Sequence, residues 1–178
     1  AGNGNIYDGD SDTGRYSNAL TYRGKFGGVA IGAQVTEGDG TDDRPMSFAL
    51  AYQAGPLYAA VGHADPGDAD DDWTSVMARY DMGAVRVSAL YGTGSDKSGR
   101  DVDAWLVALT AKLAGGQLRA SYGQRENEGV ADDYKQYGLG YHYPLSKRTT
   151  IYADLVNVDP VAAGREDTGY DIGIRHNF

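Results

Sequence analysis

Eight basic residues recur on one alternating pattern of the chain: Arg15, Arg23, Arg79, Arg86, Lys112, Arg119, Arg125 and Arg175. Against them, at the same parity, stand only Asp81, Asp154 and Asp171. Fixed charges repeated along a wetted wall do no bond-making. They set which ions and polar solutes dwell beside that wall. The plainer reading is that some are rim residues neutralised by nearby acids, and the expectation is that at least four of the eight face water along a lumen.

The groups that could make or break bonds are few. The histidines are His63, His142 and His176, and there is no cysteine. His142 shares the parity of Asp154 and lies near Ser146 in sequence, which raises a hydrolase. Nothing marks a nucleophile elbow or an oxyanion site, so catalytic residues are expected to be none. Asp8-Gly9-Asp10-Ser11-Asp12-Thr13-Gly14 has alternating oxygen ligands of the calcium-loop kind. Its glycine is displaced by one position and no glutamate follows at the required distance, so a solvated loop is expected and no metal. There is no phosphate loop or nucleotide fingerprint, and no cofactor is expected.

These side chains would be positioned by strands. Apolar and polar residues alternate at period two in eleven segments, near 15–24, 27–36, 46–54, 57–64, 73–82, 84–92, 103–113, 117–126, 134–143, 149–158 and 169–178. Each is about ten residues, the length a tilted strand needs to cross a bilayer. One parity collects Leu50, Val87, Leu109, Ile174 and many alanines and tyrosines, with no charged residue in it. The other carries Thr21, Gln34, Ser47, Ser88, Thr110, Ser121 and the charges above. A charge on a lipid-facing strand costs roughly 2–4 kcal/mol at the membrane midplane, so the clean partition is informative. A soluble β-sandwich or lipocalin-like binding module also alternates, but buries large aliphatics rather than Ala and Tyr.

The connections alternate in the same phase. Short turns are expected at 24–26, 55–56, 82–83, 114–116 and 144–148, and longer acid-rich loops at 37–45, 65–72, 93–102, 127–133 and 159–168. Short inner turns and long outer loops are the asymmetry of an outer-membrane barrel. The 178 residues hold 26 glycines and 14 tyrosines, with a mean hydropathy of −0.49. That value is compatible with a membrane barrel, half of whose strand residues face water. A net charge of −9 argues against a nucleic-acid partner.

Three stretches carry a family resemblance. Tyr137–Ala153, with Tyr143-Pro144-Leu145-Ser146-Lys147-Arg148-Thr149, resembles the turn of Gram-negative general porins. The closing Gly173-Ile174-Arg175-His176-Asn177-Phe178 is similar to their terminus, and Gly14–Tyr22 followed by Phe26-Gly27-Gly28 is similar to a mid-chain strand and turn. The resemblance implies an all-β, transmembrane antiparallel β-barrel of 16 strands, of which this chain would form about the last eleven. Residues 1–178 would be one barrel domain, with 1–14 a loop and the remaining strands supplied by an unseen part of the protein. It further implies a passive channel for small hydrophilic solutes and ions in the cell outer membrane. The implied partners are outer-membrane lipid and two further copies in a homotrimer.

Overall fold

A computed structural model describes residues 18–37, 44–67, 72–96, 98–129, 134–159 and 167–178. Eleven strands run in chain order: β1 (Ala19–Phe26), β2 (Val29–Thr36), β3 (Met46–Ala54), β4 (Leu57–Asp65), β5 (Trp73–Asp81), β6 (Val85–Ser95), β7 (Asp101–Leu113), β8 (Gly116–Asn127), β9 (Tyr134–Pro144), β10 (Thr149–Asp159) and β11 (Asp167–His176). They form one sheet in which every strand pairs antiparallel with its sequence neighbours. Among the described residues β1 and β11 do not pair with each other.

Four of the five short connections are glycine turns, and the β9–β10 turn, Leu145-Ser146-Lys147-Arg148, is closed without one. Phe26 pairs with Val29 across Gly27-Gly28, and Ala54 with Leu57 across Gly55-Pro56. Gly27 and Gly55 take positive φ at the first turn position, which L side chains resist. The first turn therefore lies two residues beyond the expected 24–26, because Phe26 completes the apolar face of β1. Ala114 and Gly115 both take positive φ, the type I′ requirement, and the Tyr141 hydroxyl donates to the carbonyls of Leu113 (2.8 Å) and Ala114 (3.2 Å) beside that turn.

No dry interior exists among the described residues. Val102 and Ala104 are the only buried apolar side chains, at 2% and 0% exposure. Leu50, Leu109 and Ile174 are 44%, 36% and 64% exposed, which removes the sandwich and lipocalin-like alternatives. An oily face bare of protein is stable only against hydrocarbon. Tyr91, Trp105, Tyr122 and Tyr137 cluster on that face toward the long-loop ends, with Trp105–Tyr122 and Tyr122–Tyr137 ring centroids at 5.0 and 4.7 Å. Amphipathic rings of this kind suit a membrane interface.

Two details correct the expected partition. The strands extend past the apolar band at the long-loop ends, so Asp101, Asp103, Glu126, Lys135 and Asp159 fall on the oily parity beyond the aromatic row. There Asp103 accepts a hydrogen bond from the Tyr91 hydroxyl at 2.5 Å. The polar face is in turn not wholly polar, for Met77, Leu90 and Leu106 are register partners on it.

Candidate functional site

Register decides which side chains share a face, because paired residues in neighbouring strands point the same way. Asp81 pairs with Arg86, Arg86 with Thr110, Thr110 with Arg119, Arg119 with Gly140, Gly140 with Asp154 and Asp154 with Asp171. Arg79 lies one step away beside Tyr58 and Ser88, and Lys112 one step the other way beside Gln117. Arg23 pairs with Gly32, Arg125 with Ala104 and Arg175 with Thr150. Seven of the eight expected basic residues thus fall on the polar face, and Arg15 lies outside the described residues.

The seven are not equivalent. The Arg86 guanidinium donates to Asp81 Oδ2 at 3.1 and 2.6 Å, so its charge is compensated. The Arg79 guanidinium carbon sits 4.9 Å from the Tyr58 ring centroid, which orients the cation without neutralising it. Arg119 Nε donates to the neutral Gln117 Oε1 at 2.9 Å. Lys112 shares a recess of about 240 Å³ with Asp81, Arg86, Thr110 and Gln117. Arg125 bonds Asn127 at 2.9 Å near the long-loop end of β8, away from this group. On the short-turn half of β5–β8 the four cations Arg79, Arg86, Lys112 and Arg119 face a single carboxylate, Asp81. The two other acids lie across β9, on β10 and β11.

Around Asp154 a second cluster forms. His142 Nε2 lies 3.0 and 3.1 Å from its two oxygens, and the His142 ring stacks on Tyr152 at 5.4 Å and 26°. Ser146 does not join it: its hydroxyl accepts from the backbone N–H of Arg148 and Thr149 in the turn, so no Ser–His–Asp arrangement forms. The calcium-loop candidate at 8–14 lies outside the described residues, and no metal-holding group of three ligands occurs among those described. Beyond the spanning segments, the Arg100 guanidinium donates to Asp96 (2.8 Å from Nε) and holds its carboxyl below the usual carboxylate range.

A family model described as Gram-negative porin matches residues 1–177. The chain belongs to the Gram-negative porin family. Membership places it in the outer membrane as an antiparallel strand wall, as the bare oily face requires. The porin is 28% identical over 207 residues to outer membrane porin protein 32 of Delftia acidovorans, with 96% of this chain and 59% of that protein covered. A solved structure of the anion-selective porin from Comamonas acidovorans superimposes with a TM-score of 0.79 at 26% identity, covering 92% of this chain and 60% of that one. OmpT of Vibrio cholerae, in a loop-deletion form, matches at a TM-score of 0.70 and 19% identity, with 89% and 62% covered. The chain therefore spans about three-fifths of the length of these relatives.

What sequence reasoning missed is the apolar patch of Met77, Leu90 and Leu106, with Trp73 laid across Gly92 where a Cβ would collide with its ring. Parity alone could have found it, since Met77 stands two residues from Arg79.

Proposed function

We propose that the protein carrying this chain is a passive diffusion channel, not an enzyme, whose wall favours small anions over cations. The observation behind this is the charge count on the short-turn half of β5–β8, where three positive charges remain after Asp81 is set against its neighbours. Rings of like charge raise the local concentration of counter-ions in a narrow aqueous path. The name of the Comamonas relative, an anion-selective porin, agrees in direction. The pore-lining set is the eight basic residues, Arg15 by its parity in the sequence alone, with Arg79, Lys112 and Arg119 dominating because no carboxylate among the described residues bonds them.

The rest of the wall comes from another part of the protein. Residues near the two sheet edges are the barest, with Leu20 74% and Ile172 79% exposed, and unpaired backbone edges in hydrocarbon cost several kcal/mol per group. A 16-stranded barrel, assembled as a homotrimer in lipid, satisfies both edges. The full-length protein reconstituted in a planar bilayer should give discrete conductance steps in KCl; a protein that folds and inserts yet passes no current would sink the reading.

A further inference from the structure

The polar face holds a recess of about 420 Å³ that spans β7 to β10, from Thr110 past Gly138 and Gly140 of β9 to Asp154. Arg119 stands on one side and Asp154 on the other. At both glycines the space a Cβ would take is occupied by the end of a neighbouring side chain. A Cβ on Gly140 would overlap the Asp154 carboxylate, and one on Gly138 would overlap the Ser121 hydroxyl. The carboxylate and the hydroxyl therefore lean over β9 into the recess. Strands separated by one neighbour lie roughly 9.5 Å apart, and this lean shortens the gap between the opposite charges.

Each charged group lines the recess and is bonded to a side chain that does not. Arg119 donates through Nε to Gln117, a bond that does not use the outer nitrogens of its fork. Asp154 is anchored by His142 Nε2 and keeps 37% of its side chain exposed. A simple anion drawn to Arg119 meets Asp154, and a simple cation drawn to Asp154 meets Arg119. A solute with a carboxylate at one end and an ammonium at the other satisfies both.

We propose that this recess is a wall subsite for dipeptide-length zwitterions, with the carboxylate on Arg119 and Ser121 and the ammonium on Asp154. The ends of an extended dipeptide are roughly 6–7 Å apart, comparable to the two-strand spacing of roughly 9.5 Å less the lean of the carboxylate across β9. The proposal rests on the channel reading above and adds a solute class to it.

The test uses the full-length protein in proteoliposomes, with labelled glycylglycine, its cationic amide and its anionic N-acetyl derivative. Glycylglycine flux should saturate while the other two rise linearly with concentration. Arg119→Gln or Asp154→Asn should each lower the saturable component roughly two- to fivefold, the scale of a partly exposed ion pair. Exchanging the charges, Arg119→Asp with Asp154→Arg, should restore it, which a mere change of net charge would not do. Heat-modifiable gel mobility reports folding. If loss of the His142 partner unfolds Asp154→Asn, Arg119→Gln still decides the matter. Linear flux of all three solutes, or saturable flux indifferent to these variants, through a channel that conducts KCl would overturn the subsite alone. Absence of any KCl conductance would instead remove the channel reading beneath it.

Discussion

Replacing Arg79, Arg86 and Arg119 together by glutamine should shift the reversal potential of the full-length channel toward cation preference. The short-turn half of the β5–β8 wall carries Arg79, Arg86, Lys112 and Arg119 against Asp81, so the triple change takes the net charge of that half from three positive to zero. At ~10 Å in water a unit charge acts with an energy of roughly 0.7 RT, reduced to about 0.25 RT across one Debye length in 0.1 M salt. Three such charges enrich anions and deplete cations about twofold each, a permeability ratio of roughly four to five. Across a tenfold KCl gradient that ratio corresponds to ~25–30 mV, and the variant should lose most of it. The assay is the zero-current potential in planar bilayers, with single-channel conductance as the control for an intact pore. A shift below about 5 mV would refute the idea that these residues control ion choice along the lumen.

Two further outcomes test the partition and the loops. Leu109→Arg, on the oily face at mid-strand in β7, should cost about 2–4 kcal/mol in denaturant-induced unfolding from lipid, whereas Thr110→Arg on the other face should cost far less; equal effects would contradict the two-solvent assignment. The Asp96–Arg100 pair lowers the folded pKa of Asp96, so its stabilisation is fully present above the unfolded carboxylate value of about 4 and is lost as pH falls through the lower folded value. Amides of Ser98 and Arg100, which donate to Asp96 Oδ1, should then lose hydrogen-exchange protection in that acid window, and Arg100→Gln should move the loss to higher pH.

Much of the sheet was legible because its faces meet different solvents. Ten of the eleven expected segments coincide with the observed strands to within a few residues, as with 46–54 and 134–143 against Met46–Ala54 and Tyr134–Pro144. The first strand is the exception at its start: expected from 15, it is seen from Ala19, with residues 15–17 outside those described. Longer outer ends were missed at β6 and β7, where the ladder continues through the pairs Thr93–Asp103, Gly94–Val102 and Ser95–Asp101 although the oily parity there carries Thr93, Ser95, Asp101 and Asp103. Backbone pairing outlasts the hydrophobic pattern once strands rise above the bilayer. The parity of Arg79, Arg86, Lys112 and Arg119 was readable, but not their inequality. That Arg86 is neutralised by Asp81 depends on a hairpin placing residues five apart side by side. That Arg79 is left charged depends on Tyr58 in the preceding strand.

Register turns a charge pattern into a site. A slip of β9 by one residue against β8 would put Leu139 and Tyr141 into water and Gly138 and Gly140 against lipid, so the oily parity fixes the pairing far more firmly than any polar contact could. With pairing fixed, Gly140 must fall between Arg119 and Asp154, and Gly138 beside Ser121. Their lack of side chains then opens a floor that no local property of β9 requires, since glycine weakens a strand interior. Lipid on one face thus dictates which charges confront each other across water on the other. The glycines decide whether those charges meet a solute or a side chain.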